Sequence, residues 1–110
     1  MQIRPLTDDY AVSAQIQPED VAEIAAAGYK TIICNRPDNE DPGQPDHGSI
    51  EAAARAAGLT FRFIPVISGG MTDADVAAQT QALAEVPGPV FAYCRSGTRC
   101  TNLYMAGKQG

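Results

Sequence analysis

No stretch of this chain approaches the ~20 apolar residues that a membrane-spanning helix requires. The opening residues, Met1-Gln2-Ile3-Arg4-Pro5, carry no apolar leader segment. The expected setting is therefore cytoplasmic, where thiols stay reduced, with no membrane partner. Basic residues are few: eight Lys and Arg stand against 13 Asp and Glu, giving a net charge of −5. That balance argues against a nucleic-acid partner, which would call for a basic face. Cysteine is scarce and odd in number. Cys34 stands alone, Cys94 and Cys100 are too far apart for a CxxC pair, and the single histidine, His47, has no cysteine near it. No structural metal and no cofactor is expected from such spacing. Internal repeats and low-complexity tracts are missing as well. What is there is a chain of 110 residues, 45% hydrophobic and 19% charged. This composition fits one globular domain, residues 1–110, with a real core, either shortened or serving as one module of a longer protein.

Local patterns alternate between strand and helix. Gln2-Ile3-Arg4 and Tyr10-Ala11-Val12-Ser13 read as short strands around Thr7-Asp8-Asp9. A helix is predicted from Gln17-Pro18-Glu19-Asp20, with an apolar stripe of Val21, Ile24 and Ala25, ending at Gly28. Thr31-Ile32-Ile33-Cys34 has the unbroken β-branched character of a buried parallel strand. The loop from Asn35 to Gly48 is long for a small domain and rich in proline and acid, which marks it as a functional candidate. Ser49 to Ala57 reads as a second helix, Phe61 to Val66 as a strand and Ser68-Gly69-Gly70 as a connector. A third helix is capped by Thr72, Val90 to Tyr93 forms the last strand, and Cys100 to Lys108 the last helix. The alternation predicts an α/β fold: three layers, with a mainly parallel central sheet of about five strands flanked by about four helices.

The segment Val90-Phe91-Ala92-Tyr93-Cys94-Arg95-Ser96-Gly97-Thr98-Arg99-Cys100 carries the chemistry. A strand that turns sharply into a helix aims backbone N–H groups and the positive helix end at one point. An anion is favoured there, and a cysteine there has a lowered pKa and exists partly as the attacking thiolate. Cys94 is the candidate nucleophile and Arg99 the candidate anion clamp, its planar fork matching two oxygens. Arg95 would face solvent or the substrate mouth. Ser96, Gly97 and Thr98 would supply loop N–H groups, with Gly97 allowing a backbone angle or a close approach. Cys100 reads either as a resolving thiol or as a small residue packed under the loop, and Cys34 as a core residue.

Cys94-Arg95-Ser96-Gly97-Thr98-Arg99 resembles two loops. One is the six-residue C-R-S-G-x-R loop of rhodanese-type sulfurtransferases. The other is the C-x5-R loop of protein tyrosine and dual-specificity phosphatases, longer by one residue. The stretch from Gly28 to Asp38, with Glu40 after it, resembles the early strand and loop of dual-specificity phosphatases. Together with Ile64-Pro65-Val66, these residues make the chain, from Ser13 to Leu103, similar to the phosphatase-like domain of the bacterial beta-lactamase-hydrolase-like family. The resemblance implies a protein tyrosine phosphatase-like fold. Members of that family stand alone or are fused to metallo-hydrolase or persulfide-metabolising domains, so the resemblance implies either a lone domain or such a fusion or partner. Three positions depart from the phosphatase pattern. Tyr93 replaces the usual histidine before the nucleophile, Arg99 comes one position early, and Cys100 stands where a serine or threonine follows the arginine.

A phosphatase needs a general acid for its leaving oxygen. Asp73 and Asp75 occupy the segment where dual-specificity phosphatases carry theirs, but Thr72-Asp73-Ala74-Asp75 also reads as a helix cap. Asp38 and Glu40 are outside candidates. Arg36 would add positive charge or pair with an acid, and His47 reads as a solvated loop residue. Three reactions follow. The first expectation is sulfur transfer through a Cys94 persulfide, from thiosulfate or a persulfide donor to an acceptor thiol. The alternative is phosphoester hydrolysis through a phosphocysteine. The third is a redox-sensing anion-binding module built on Cys94 and Cys100. In each case the partner is a small anionic sulfur or phosphate compound.

Overall fold

The last strand in the chain occupies the centre of the sheet. In the computed structural model, which describes residues 1–109, the strand order is β1-β2-β5-β3-β4. The strands are β1 (Arg4–Thr7), β2 (Tyr10–Ser13), β3 (Thr31–Cys34), β4 (Thr60–Phe63) and β5 (Val90–Tyr93). β1 runs antiparallel to β2, and the other pairings are parallel. The helices are α1 (Val21–Ala26), α2 (His47–Ala56), α3 (Asp73–Glu85) and α4 (Thr98–Gln109). This is the predicted α/β architecture, with five strands and four helices. Gly110, the last residue of the predicted domain, lies outside the described residues.

Strand alternation divides the core between two faces. Ile32, Phe91 and Tyr93 point to the side packed by Val21, Ile24 and Ile50 of α1 and α2. Ile33, Val90, Ala92 and Cys94 point to the other side, where Cys100, Leu83 and Tyr104 of α3 and α4 cover them. Burying a ring such as Phe91 completely contributes about 1.5–3 kcal/mol. The chain passes from β2 to β3 leaving a slot, and β5 later fills it. Such a reversal of strand order is the switch point where α/β sheets bind ligands, at the carboxyl ends of their strands. Cys94 follows β5 there.

Several boundaries differ from the sequence expectation. The first strand is Arg4–Thr7, not Gln2 to Arg4, because it zips onto β2 right up to the Asp8-Asp9 turn, with an irregularity between Pro5 and Thr7. The segment Pro18–Asp20 forms a 3-10 turn before the regular helix begins at Val21. β4 stops at Phe63; beyond it Ile64 and Val66 still donate to the carbonyls of Cys34 and Asn35, but Pro65 between them has no N–H to continue a ladder. α2 starts at His47, capped by the Asp46 carboxylate on the Ser49 N–H at 2.8 Å. His47 is therefore not a solvated loop residue. It is half-buried, stacked on Phe63 with ring centroids 3.7 Å apart, and its Nδ1 lies 2.7 Å from Asp38. α4 starts at Thr98 rather than Cys100, which puts Arg99 and Cys100 in its first turn.

Candidate active site

Cys94 directly follows the central strand and is fully buried. Its own N–H donates to the Ser13 carbonyl at 3.2 Å, tying the start of the loop to β2. The chain then turns through Gly97, whose φ of +92° lies in the left-handed region that favours glycine. A Cβ at Gly97 would also collide with the Arg4 guanidinium, whose Nη2 donates to the Ser96 carbonyl at 2.7 Å. The turn brings the Gly97 N–H to 3.0 Å from the Cys94 sulfur. The Ser96 hydroxyl accepts from the Thr98 N–H and donates to the Thr98 hydroxyl, closing the step into α4.

These groups hold the Cys94 thiol down to about 5. The Cys100 thiol is the strongest cause, and burial opposes it; the backbone N–H groups of Cys100, Ser96 and Gly97 add to the lowering. Hydrogen bonds to a charged group contribute roughly 1.5–3 kcal/mol each, so several of them outweigh the desolvation of one sulfur. Cys100 is the counterpart. It is fully buried beneath the loop, and burial together with the neighbouring Cys94 pushes its own thiol well above the ordinary value. One sulfur is thus charged near neutrality and the adjacent one carries the proton. Cys34, on the other face of the sheet, is a buried core residue whose thiol burial raises.

The arginines converge on the long loop after β3. Arg99 holds the Glu40 carboxylate with both terminal nitrogens at 2.8 Å, and its Nη1 also donates to the Val66 carbonyl at 2.9 Å. Arg36, almost completely buried, donates to Glu40 at 2.9 Å, to Asp41 at 2.7 Å and to Gln15 at 3.0 Å. Arg95 is largely exposed, with its Nε 3.3 Å from Asp41. Arg99 foremost, and then Arg36, holds the Glu40 carboxyl down at about 2 despite its partial burial. The Arg99 Nε makes no hydrogen bond among the described residues.

Asp75 closes a reciprocal cap with Thr72: its carboxylate accepts from the Thr72 N–H at 3.0 Å, and its own N–H donates to the Thr72 hydroxyl at 3.1 Å. Asp73 sits at the head of the groove between α3 and α4, with Val76 and Ala106. Arg4, Gln15 and Asp41 were not singled out by sequence reasoning. The Glu40-Asp41 pair close after Arg36 was the available signal for the last of these. Nothing local marks Arg4, which is 92 residues from its partner.

A buried thiolate at the carboxyl end of the central strand, cradled by loop N–H groups at a helix start, sits on an α/β domain of the protein tyrosine phosphatase-like kind. A Pseudomonas aeruginosa protein, TpbA, solved in complex with phosphotyrosine, has this fold, with a TM-score of 0.64 at 18% identity over 86% of this chain and 54% of its own. The chain belongs to the phosphatase-like domain family of beta-lactamase hydrolase-like proteins, whose model matches residues 2–110. It is 42% identical over 103 residues to a beta-lactamase hydrolase-like protein of Agrobacterium fabrum, covering 94% of this chain and 24% of the relative. It thus spans about a quarter of the length of the curated relatives it matches. It is also similar to a crystal structure from Neisseria meningitidis described as that of a candidate phosphatase: 41% identity, TM-score 0.88, 94% of this chain and 74% of the other. These likenesses move the weight from sulfur transfer, the first expectation, to the phosphoryl alternative.

Proposed function

We propose that this domain is a cysteine-dependent phosphoester hydrolase. The Cys94 thiolate attacks phosphorus, a sulfur–phosphorus bond forms and the bond to the leaving oxygen breaks. Water then cleaves the phosphocysteine, releasing phosphate and restoring the thiolate. The N–H groups of the 95–98 loop and the Arg99 Nε are suited to hold the phosphoryl oxygens. Arg95 at the mouth adds positive potential that draws an anion toward an otherwise acidic protein. The resting site is closed, because Cys94 is fully buried, so the loop must yield locally when substrate enters.

The observation that carries this reading is the Gly97 N–H on the Cys94 sulfur, in a site that keeps that sulfur ionised near neutrality. An aryl phosphate assay tests it. Steady turnover by the native protein, abolished in Cys94→Ser, and a phosphorylated Cys94 trapped by acid quench are expected. If turnover is lacking, or unchanged in Cys94→Ser, the proposal falls.

Sulfur transfer stays as a second reading because the Cys100 thiol lies against Cys94 in a loop one residue shorter than that of phosphatases. Thiosulfate treatment would then add one sulfur atom to Cys94 by mass spectrometry.

A further inference from the structure

The leaving oxygen must depart either protonated by an acid or as an anion stable on its own, and the residues around the loop decide between these. Two cavities meet at Arg99 and Asn102. One, of ≈560 Å³, is walled by Ser68, Arg95, Ser96 and Thr98. The other, of ≈280 Å³, is walled by Val66, Ile67, Gly69 and Met71. Among the described residues, no carboxylate and no histidine lines either cavity.

The acids on the neighbouring loop and helix are paired with other groups, except Asp73, which lines a different groove. Glu40 accepts three N–H bonds from Arg99 and Arg36 and, held at about 2, has no proton to give at neutral pH. Asp41 is taken by Arg36 and Arg95. The Asp75 carboxylate serves the α3 cap, and Asp73 faces the α3–α4 groove. His47 is bound to Asp38 and stacked on Phe63. The Cys100 proton lies on the nucleophile's side of the reaction.

We propose, resting on the phosphoryl reading above, that the site takes phosphoryl groups whose leaving oxyanion is stable without a proton, namely phosphoanhydrides and acyl phosphates, and not alkyl phosphomonoesters. The sulfur–phosphorus bond forms as the phosphorus–oxygen bond breaks. The leaving oxygen keeps the electron pair and exits as phosphate or carboxylate. Water then hydrolyses the phosphocysteine and its proton passes to solvent. The polar cavity beside Arg95 suits such a charged leaving group.

A leaving-group series on the native protein tests this without any variant that must refold. Aryl phosphates from dinitrophenyl to phenyl are assayed for Cys94-dependent kcat/KM, with acetyl phosphate, inorganic pyrophosphate and glycerol phosphate as the natural-type probes. A missing general acid forfeits roughly 10²–10⁴-fold on a poor leaving group. Phenyl phosphate is therefore expected to fall behind dinitrophenyl phosphate by about that factor. Acetyl phosphate or pyrophosphate should be turned over, and glycerol phosphate left intact. A flat series, or turnover of glycerol phosphate comparable with acetyl phosphate, overturns this inference and leaves the phosphatase reading standing. No phosphocysteine with any probe removes both.

Discussion

At the scale of single residues, the site rests on a division of labour between two sulfurs. The Cys94 thiol is lowered because the neighbouring Cys100 thiol and the backbone N–H groups of Cys100, Ser96 and Gly97 favour its charged form; Cys100 keeps its proton because it is buried beside that charge. Cys100→Ala removes the strongest of those donors. One charge-assisted hydrogen bond is worth roughly 1.5–3 kcal/mol, and 1.36 kcal/mol corresponds to one pKa unit, so the Cys94 value should rise by about 1–2 units. Alkylation rate against pH measures this. The native midpoint is expected near 5 and the variant's clearly above it, while Cys100→Ser, which retains a donor, should stay closer to native. An unchanged midpoint in Cys100→Ala would show that the loop N–H groups alone ionise the sulfur.

At the scale of elements, the start of α3 decides what its two acids do. Thr72 and Asp75 satisfy each other's backbone N–H groups, which otherwise lack partners at a helix start. Thr72→Ala should lower unfolding free energy by about 1 kcal/mol and leave phosphoryl turnover near native, as read by chemical denaturation beside the aryl phosphate assay. Asp75→Asn should behave in the same way. A large loss of kcat at native stability in Asp75→Asn would instead restore it as a general acid. The loop after β3 behaves as a second element without regular structure. Its shape comes from the Arg36, Glu40 and Asp41 pairs, the Asp38–His47 contact and the Gln44 side chain, which bonds the backbone of Pro37, Glu40 and Asp41, so side chains rather than a backbone ladder order it.

At the scale of the whole molecule, two polar networks join the layers. In one, Gln79 of α3 donates to the Tyr10 hydroxyl of β2 at 3.1 Å and accepts from Asn35, at the end of β3, at 3.0 Å. All three residues are buried. Gln79→Ala strips two buried polar groups of a partner and should cost about 1–3 kcal/mol by urea denaturation. The other is the arginine–carboxylate cluster. The folded Glu40 carboxyl sits at about 2, below its ordinary 4.5, so its contribution is complete above about pH 4.5 and is lost as pH falls toward 2. The stability gap between the native protein and Glu40→Gln should therefore narrow over that interval in acid titrations followed by circular dichroism. A gap that stays constant would mean that Glu40 contributes no ionised pairing to the fold.

Strand and helix order, the buried character of β3 and β5 and the Thr72 cap were all legible from residue order alone. Each is a short-range property, set by side-chain periodicity, turn chemistry or a helix beginning a few residues after a strand. The insertion of β5 between β2 and β3 was not legible, nor was the reach of Arg4 to Ser96 or the claim of Glu40 on Arg99. Those depend on which strands become neighbours and which distant charges then meet, and local pattern carries no record of either. Sequence alone placed a thiol in the turn between the last strand and the last helix. Only the folded chain packed Cys100 against that thiol, brought the Gly97 N–H onto it and paired Glu40, Asp41 and Asp75 with other groups.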